Sequence, residues 1–267
     1  MNYLSLIICF IVNIIISIGI PLGILIYFAI KKKQFVKPFL VGALVFLVSQ
    51  VVLRMPLLNG VVAKTDWFYN MSVLNPILYA VFLGLTAGIF EEVGRFIGFK
   101  TGLKKNRTWY DGIAFGLGHG GIEAILFAGI SSIQNLYVIF SLNNGTFNSS
   151  LVGASEETVR GIFDSTSSIM VLYGGIERIS AIIMHIGFTL IVLYGINKGK
   201  RIIYVIIAIL LHAIVDTVVV IAQQIWLSIH TVELICIFFA VILLGFIIKS
   251  KSMFKNFEEV GVNEKIF

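Results

Sequence analysis

The chain consists of seven long apolar runs separated by short polar segments. Each run has about 20 residues or more, the length that an α-helix needs to cross the hydrocarbon core of a bilayer. The runs cover residues 4–30, 38–58, 76–99, 112–140, 169–196, 202–227 and 231–249. The strands of a membrane β-barrel would instead alternate polar and apolar positions. The pattern therefore predicts an all-α, polytopic transmembrane helix bundle.

The composition excludes several other classes of protein. The chain is 58% hydrophobic and 13% charged, with a mean hydropathy of +0.98, whereas a soluble domain averages about 25% charged residues. This excludes a soluble enzyme and a disordered chain. Cys9 and Cys236 lie in apolar runs and provide no disulfide framework. The first run is longer than the apolar part of a cleaved signal peptide and lacks a basic start, so we interpret it as an uncleaved anchor.

The basic residues alternate along the connecting segments and predict the topology. Fifteen of them lie in alternate segments and in the tail, whereas the opposite segments hold Lys64 and Arg160 only. The fifteen are Lys31, Lys32, Lys33, Lys37, Lys100, Lys104, Lys105, Arg107, Lys198, Lys200, Arg201, Lys249, Lys251, Lys255 and Lys265. The positive-inside rule then predicts that the N-terminus is outside and the C-terminus is inside. We expect the basic charge to reflect this topology, with no nucleic-acid partner.

The connecting segments predict no second domain. The longest one, 141–168, contains a predicted short surface helix that Ser155 caps. The chain lacks the internal repeats of transporters. We therefore expect a single integral membrane domain over residues 1–267, with the motif-bearing core at about 76–227. The Ile-, Asn- and Lys-rich composition favours the membrane of a low-GC bacterium.

Ionisable residues inside the spans are the main functional signal. Each charged group near the bilayer centre costs on the order of 2.5–3.5 kcal/mol, so such groups should face one another or a wet cavity. Spans three to six contain Glu91, Glu92, Arg95, His119, Glu123, Glu177, Arg178, His185, His212 and Asp216. Spans one, two and seven contain nothing comparable, and we interpret them as lipid-facing scaffold. His230 and Glu233, near the outer end of span seven, are expected to be solvated.

Helix geometry predicts that these residues form one site. Glu91, His119, His185 and His212 lie about 10–16 Å from the cytoplasmic ends of their helices, from a rise of 1.5 Å per residue. We therefore expect a shared site that opens toward the cytoplasmic half. Asp216 lies four residues after His212 and shares its helix face, as Glu123 does with His119.

Glu91 and Glu92 are predicted to have different roles. Adjacent helical residues diverge by about 100°, and Arg95 is within one turn of both glutamates. One carboxylate should face the site while the arginine holds the other. The glycines around His119 are expected to allow either close helix approach or local unwinding.

The residue types leave two chemistries open. Five acids against two arginines require protonated carboxyls, imidazolium or a bound cation. Two or three histidines with a carboxylate could hold zinc with one open position, and the candidate ligands are His119, His185 and His212. A carboxylate could instead activate water without metal. The expected cofactor is therefore either none or one Zn²⁺.

Three motifs on successive predicted helices resemble those of a known family. They are Glu91-Glu92-Val93-Gly94-Arg95, Phe115-Gly116-Leu117-Gly118-His119 and His212-Ala213-Ile214-Val215-Asp216. In this order they are similar to the EExxxR, FxxxH and HxxxN/D motifs of the CAAX-processing and bacteriocin-processing (CPBP, or ABI) intramembrane endopeptidases. The arrangement looks most like the YhfC-type branch, a set of predicted bacterial intramembrane proteases. The resemblance covers about residues 76–220.

The resemblance implies an endopeptidase whose substrates are membrane-embedded or lipid-linked peptides. It implies that Glu91 activates water with the help of His119, and that His212 with its polar partner stabilises the oxyanion. The catalytic candidates are Glu91, Glu92, His119, His212 and Asp216. The supporting candidates are Arg95, Glu123, Glu177, Arg178 and His185.

The motifs depart from the family pattern in two places. Arg95 is one residue closer to the glutamates than the family motif requires, which leaves the base open between Glu91 and Glu92. Asp216 stands where an amide is common, and an ionised carboxylate cannot donate a hydrogen bond to an oxyanion. It would then orient His212 or bind a metal.

A hypothesis from another class stays beside the protease. Polar residues on four helices also suit a proton- or metal-linked transporter, or an immunity-type protein that binds without catalysis. A transport path must reach both membrane faces, whereas the outer halves of spans three to six contain few ionisable groups. We therefore favour an intramembrane protease.

Overall fold

The protein is a bundle of membrane-length helices. The computed structural model describes residues 3–225 and 227–263, and this part of the chain contains helices and turns but no strands. The helices are α1 Leu4–Lys31, α2 Lys33–Lys64, α3 Asp66–Leu74, α4 Pro76–Thr101, α5 Trp109–Asn143, α6 Ser149–Val152, α7 Glu156–Ser165, α8 Ser168–Asn197, α9 Arg201–Gln224 and α10 Ile229–Asn263.

Seven of these helices are long and apolar enough to cross a membrane, namely α1, α2, α4, α5, α8, α9 and α10. They coincide with the seven predicted runs, so the predicted all-α, polytopic fold is confirmed. Trp226, in the sixth predicted run, and Lys265, in the basic tail, lie outside the described residues. The predicted surface helix is α7, whose first turn is capped where Ser155 Oγ accepts the Thr158 N–H at 3.2 Å.

Helix α8 lies at the centre of the bundle. It contacts α1, α4, α5, α9 and α10, and 67% of its most apolar stretch is buried. Helices α4 and α9 pair along their length, and α2 pairs with the first half of α5. Four helices that carry ionisable residues, α4, α5, α8 and α9, therefore meet inside the bundle.

Glycines set the close approach of the paired helices. A Cβ atom added at Gly42 would lie 2.1 Å from the carbonyl oxygen of Phe115, and one at Gly118 would lie 2.0 Å from that of Phe39. Helices in lipid lack a hydrophobic drive to associate, so small residues that let backbones touch carry much of the packing. The glycine-rich stretch before His119 is a regular α-helix over Trp109–Ala124. Close approach, not local unwinding, is therefore its use here.

Three π-helical stretches interrupt the long helices. They cover Ile15–Gly19, Leu47–Arg54 and Ile125–Gly129. Such segments often occur at functional sites. The second stretch contains Gln50 and Arg54, and the third begins two residues after Glu123.

One end of the bundle is filled by a large apolar cluster. We refer to the end formed by the loops 31–37, 100–107 and 198–201 as the lysine-rich end. Phe99, Leu103, Phe115, Leu190 and Leu193 are fully buried there. The rings of Phe99 and Phe115 stack with their centroids 4.7 Å apart.

Substitution of Gly118 by alanine tests the close helix crossing. We expect Gly118→Ala to lower the free energy of unfolding by about 1–3 kcal/mol, because the added methyl group meets backbone and not a movable side chain. Thermal unfolding in detergent measures the effect. The matched control is Gly245→Ala in α10, where nothing lies within 4 Å of the new Cβ atom. Equal midpoints for the two variants would contradict the crossing.

Candidate metal centre

Glu91 lies at the centre of a buried polar cluster. It lies in the middle of α4, and its residue is only 4% exposed. Its Oε2 atom is 2.9 Å from His119 Nε2, 3.7 Å from His185 Nδ1 and 4.0 Å from His212 Nε2. Three imidazoles from α5, α8 and α9 thus surround one carboxylate oxygen.

Arg95 joins the two adjacent glutamates. Its side chain is fully buried and donates hydrogen bonds to Glu92 Oε1 and, at 3.3 Å, to Glu91 Oε2. Its Nη2 group is also 2.6 Å from His185 Nδ1. Glu92 Oε1 in turn lies 2.8 Å from His212 Nδ1. Glu91 therefore faces the imidazoles of α5 and α8, whereas Glu92 links Arg95 to His212.

A second charged chain fixes His185. Its Nε2 atom lies 2.5 Å from Glu123 Oε2, and Arg178 Nη1 donates to the other oxygen of Glu123 at 2.8 Å. Arg178 also donates to its neighbour Glu177. Because an arginine N–H can only donate, His185 Nδ1 is the acceptor toward Arg95, and Nε2 carries the proton given to Glu123.

Each ring nitrogen of His212 lies near a carboxylate. Its Nδ1 atom faces Glu92, and its Nε2 atom lies 3.6 Å from Asp216 Oδ2. The imidazole stacks on Phe188 with a centroid separation of 4.8 Å. This contact fixes the plane of the ring.

Gln50 and Arg54 of α2 also belong to the site, and sequence reasoning missed both. Gln50 donates its amide N–H to Glu91 Oε1, and Arg54 donates to the amide oxygen of Gln50 at 3.1 Å. Arg54 further bonds Thr86 and the Leu83 carbonyl. The interpretation of α2 as lipid-facing scaffold is therefore wrong. The available signal was a glutamine and an arginine inside an otherwise apolar run.

Helix α10 also departs from the expectation. Glu233, expected to be solvated, is 3% exposed because α10 packs against α8. Cys236, one turn later in the same helix, is buried as well. His230 is exposed and pairs with Tyr173 Oη at 2.5 Å, at the helix end.

The cluster lies at one end of a cavity of about 350 Å³ that opens to the surface of the bundle. Glu91, His185 and His212 line it directly, as do Gln50 and Arg54. Four further lining residues are ionisable candidates from the sequence, namely Glu123, Glu177, Arg178 and Asp216. The structure thus brings all ten ionisable candidates of spans three to six into the cavity wall or into contact with a residue of that wall.

Three donors in this cluster could hold a metal ion. Ligand atoms of Glu91, His119 and His185 all lie within 4.8 Å of one another, and all three residues are buried. This set differs from the predicted histidine triad, because Glu91 takes the place of His212 in it. Two imidazoles, one carboxylate and an open side match the donor set of hydrolytic zinc sites.

Two features of the surroundings also fit a cation. The cationic Nη2 group of Arg95 donates to both Glu91 Oε2 and His185 Nδ1, so a lone pair of each acceptor is directed at the same positive group. The Glu123 carboxylate behind His185 matches the usual partner of a metal-binding imidazole, which fixes its tautomer. The residues therefore fit a metal ion.

A family comparison assigns the chain. The family model described as YhfC intramembrane metalloprotease matches residues 15–237. The chain belongs to this family. The match spans all the residues of the cluster and cavity described above. No solved structure matches the chain.

One relative in the YhfC family is 37% identical over 244 residues, covering 88% of this chain and 93% of the relative. It is the uncharacterized membrane protein YhfC of Bacillus subtilis (strain 168). The similarity thus extends over nearly the whole membrane bundle, and this chain is likewise a membrane protein.

Removal of Arg95 tests the electrostatic core of the site. We expect Arg95→Met to lower the free energy of unfolding by about 3–5 kcal/mol, because Glu91 and Glu92 lose their buried cationic partner. Unfolding in mixed detergent micelles measures the change. Arg160→Met in the exposed helix α7 is the control and should leave the stability nearly unchanged. A stable Arg95→Met variant would contradict the pairing.

Proposed function

We propose that the protein is an intramembrane metalloendopeptidase that hydrolyses peptide bonds of membrane-embedded or lipid-linked substrates. The observation that carries the proposal is the convergence of Glu91, His119 and His185 from three membrane helices beside one cavity. The family description supports this activity. Residues 91–216 further support a place in the wider CPBP superfamily, since the three motifs occur in the expected order.

We propose zinc as the metal, held by Glu91, His119 and His185. Zinc held there would supply Lewis-acid chemistry, namely the activation of water and the polarisation of the substrate carbonyl. Glu123 keeps the Nδ1 lone pair of His185 available to the site. Arg95 donates to that lone pair in this structure, so a metal ion bound to His185 would take the place of this hydrogen bond, and Arg95 would keep its contact with Glu92.

Gln50 acts as a positioning residue for Glu91. It occupies Oε1 of the carboxylate, which leaves Oε2 for the imidazole side. Arg54 orients the Gln50 amide by donating to its oxygen, so the amide N–H points at Glu91. The pair fixes the direction of the carboxylate, as a hydrolytic site requires.

His212 transfers a proton and stabilises the oxyanion. Glu92 holds its Nδ1–H, so Nε2 faces the cavity, where it can accept a proton from water or donate one to the substrate. Asp216 lies 3.6 Å from Nε2 and orients the ring, so that a protonated Nε2 can donate to the developing oxyanion. Asp216 is thus a positioning residue, which removes the difficulty of an acceptor at the amide position.

The packing of the lysine-rich end weighs against the transporter hypothesis. A transported ion needs a path to both membrane faces, whereas a core of fully buried phenylalanine and leucine side chains fills the lysine-rich end. We further propose, from the basic loops and the Bacillus relative, that the protein resides in a bacterial cell membrane with its lysine-rich end in the cytoplasm.

Metal content tests the proposed ligand set. We expect about one zinc per purified chain in the wild type and a loss of zinc in His119→Ala and His185→Ala, since each removes one of three donors. His212→Ala should retain zinc because His212 lies outside the donor set. Mass spectrometry of the detergent-purified proteins measures the content, with exposed His230→Ala as the matched control.

The helical circular dichroism of each variant must match the wild type, so that zinc loss reports ligation and not unfolding. Zinc that persists in both His119→Ala and His185→Ala would overturn the ligand set. Zinc lost from His212→Ala as well would restore the histidine triad expected from the sequence.

Turnover tests the role of His212. We expect His212→Ala to reduce cleavage about 100-fold or more while it keeps its metal, because proton transfer and oxyanion stabilisation are lost. The probe is a mixture of quenched-fluorescent transmembrane peptides in liposomes. Glu91→Gln should lose both zinc and cleavage. Full activity of zinc-loaded His212→Ala would contradict its proposed role.

A further inference from the structure

The cavity extends from the cluster in one direction only along the bundle. In α4, which runs toward the lysine-rich end, the lining residues Leu83 and Ala87 precede Glu91. In α9, which starts at the lysine-rich end, Asp216 and Val219 follow His212. Both helices therefore place the cavity on the side of the cluster away from the lysine-rich end.

The other helices of the cavity wall agree. In α8, the lining residues Glu177 and Arg178 precede His185 and so lie nearer the helix start, at the opposite end of the bundle. In α2, Gln50, Arg54 and Met55 line the wall and approach the helix end at Lys64.

The lysine-rich side of the cluster is closed by packed side chains. Phe115, one turn before His119, is fully buried and stacks on Phe99. Leu190 and Leu193, one to two turns beyond His185, are fully buried too. Close-packed interiors of this kind leave no space for water or a peptide.

The open side is polar enough to admit water. The side chains of Asp216 and Glu177 are 36% and 38% exposed, respectively, and both line the cavity. Hydrolysis requires water at the cluster, and charged walls favour its entry into a membrane interior.

In the same half of the bundle, helices α2 and α5 diverge. Helix α2 packs on α5 through Val36–Phe46, but its next segment, Leu47–Arg54, packs on α4. The last part of α5, Ile130–Asn143, packs on α1. Phe127, which lies between the two parts of α5, lines the cavity and is 45% exposed. The Phe127 ring lies edge-on to Phe46 of α2, with the ring centroids 6.0 Å apart, so a membrane-embedded segment that approaches between α2 and α5 would displace this aromatic pair.

We infer that water and the scissile peptide reach the cluster from the end of the bundle opposite the lysine-rich end. With that end in the cytoplasm, the substrate is a membrane-embedded peptide that enters from the extracytoplasmic side and places its scissile bond at the cluster, near the middle of the bilayer. This inference rests on the proposed function in one respect, because it calls the entering peptide a substrate. It reverses the expectation from the sequence, which placed the opening on the cytoplasmic side.

Cysteine accessibility tests the direction of access without any turnover. The background is Cys9→Ala with Cys236→Ala, to which Val219→Cys is added in the cavity wall. The probe is a membrane-impermeant trimethylammonium methanethiosulfonate, applied to right-side-out and inverted membrane vesicles. Later maleimide labelling of the denatured protein reads out the thiols that the probe did not block.

Two control variants match Val219→Cys. Ile214→Cys lies on the same helix at a side chain that is 52% exposed on the lipid-facing surface, and Lys104→Cys lies at the lysine-rich end. We expect Val219→Cys to react at least about tenfold faster than Ile214→Cys, since only a hydrated thiol ionises to the reactive thiolate. Val219→Cys should react in right-side-out vesicles and Lys104→Cys in inverted ones.

Reaction of Val219→Cys from the same side as Lys104→Cys, or from neither side, would overturn the inference. Exchange of the two sides would overturn the extracytoplasmic assignment. The metal content is measured in a separate experiment, so neither labelling result changes the test of the proposed function. Conversely, a protein without bound zinc but with the expected labelling would remove the proposed function and leave the direction of access standing.

Discussion

The arrangement of the helices depends on the free-energy cost of placing carboxylates inside an apolar bundle. Glu91 and Glu92 recover this cost only through partners on other helices and through Arg95. Because His119 and His212 come from α5 and α9, the requirement ties three helices to one level. A shift of any of them by one turn would leave a buried charge without its partner. The register of the bundle and the geometry of the site therefore follow from the same interactions.

Small residues make that convergence possible. Gly84 and Gly88 of α4 lie against the backbone of α9, where an added Cβ would be 2.6 to 2.7 Å from a carbonyl oxygen. A Cβ at Gly120 would be 3.0 Å from the imidazole of His185. Larger residues would separate the helices and stretch the contacts around Glu91. Glycine is costly within an α-helix in water, but in lipid close packing offsets this cost.

The bundle is asymmetric about the cluster in a way that suits hydrolysis in a membrane. Packed phenylalanine and leucine close one side, and a charged cavity occupies the other. Gln50 and Arg54 connect the cavity to the cluster, since both line the cavity and Gln50, which Arg54 orients, donates to Glu91. The second helix thus contributes to the site although its hydropathy is that of an ordinary membrane span.

The sequence by itself determined the seven helices, because runs of about 20 apolar residues have no other stable state in lipid. It also determined the candidate residues of spans three to six, since a charged side chain inside the membrane is too costly to bury without a partner. Only the tertiary structure decided that Glu91 joins His119 and His185 in the donor cluster, that Gln50 and Glu233 are buried, and which way the cavity extends. These features depend on how helices rotate and cross, and helix pairing sets both, whereas hydropathy along one chain is the same for every rotation of a helix about its axis.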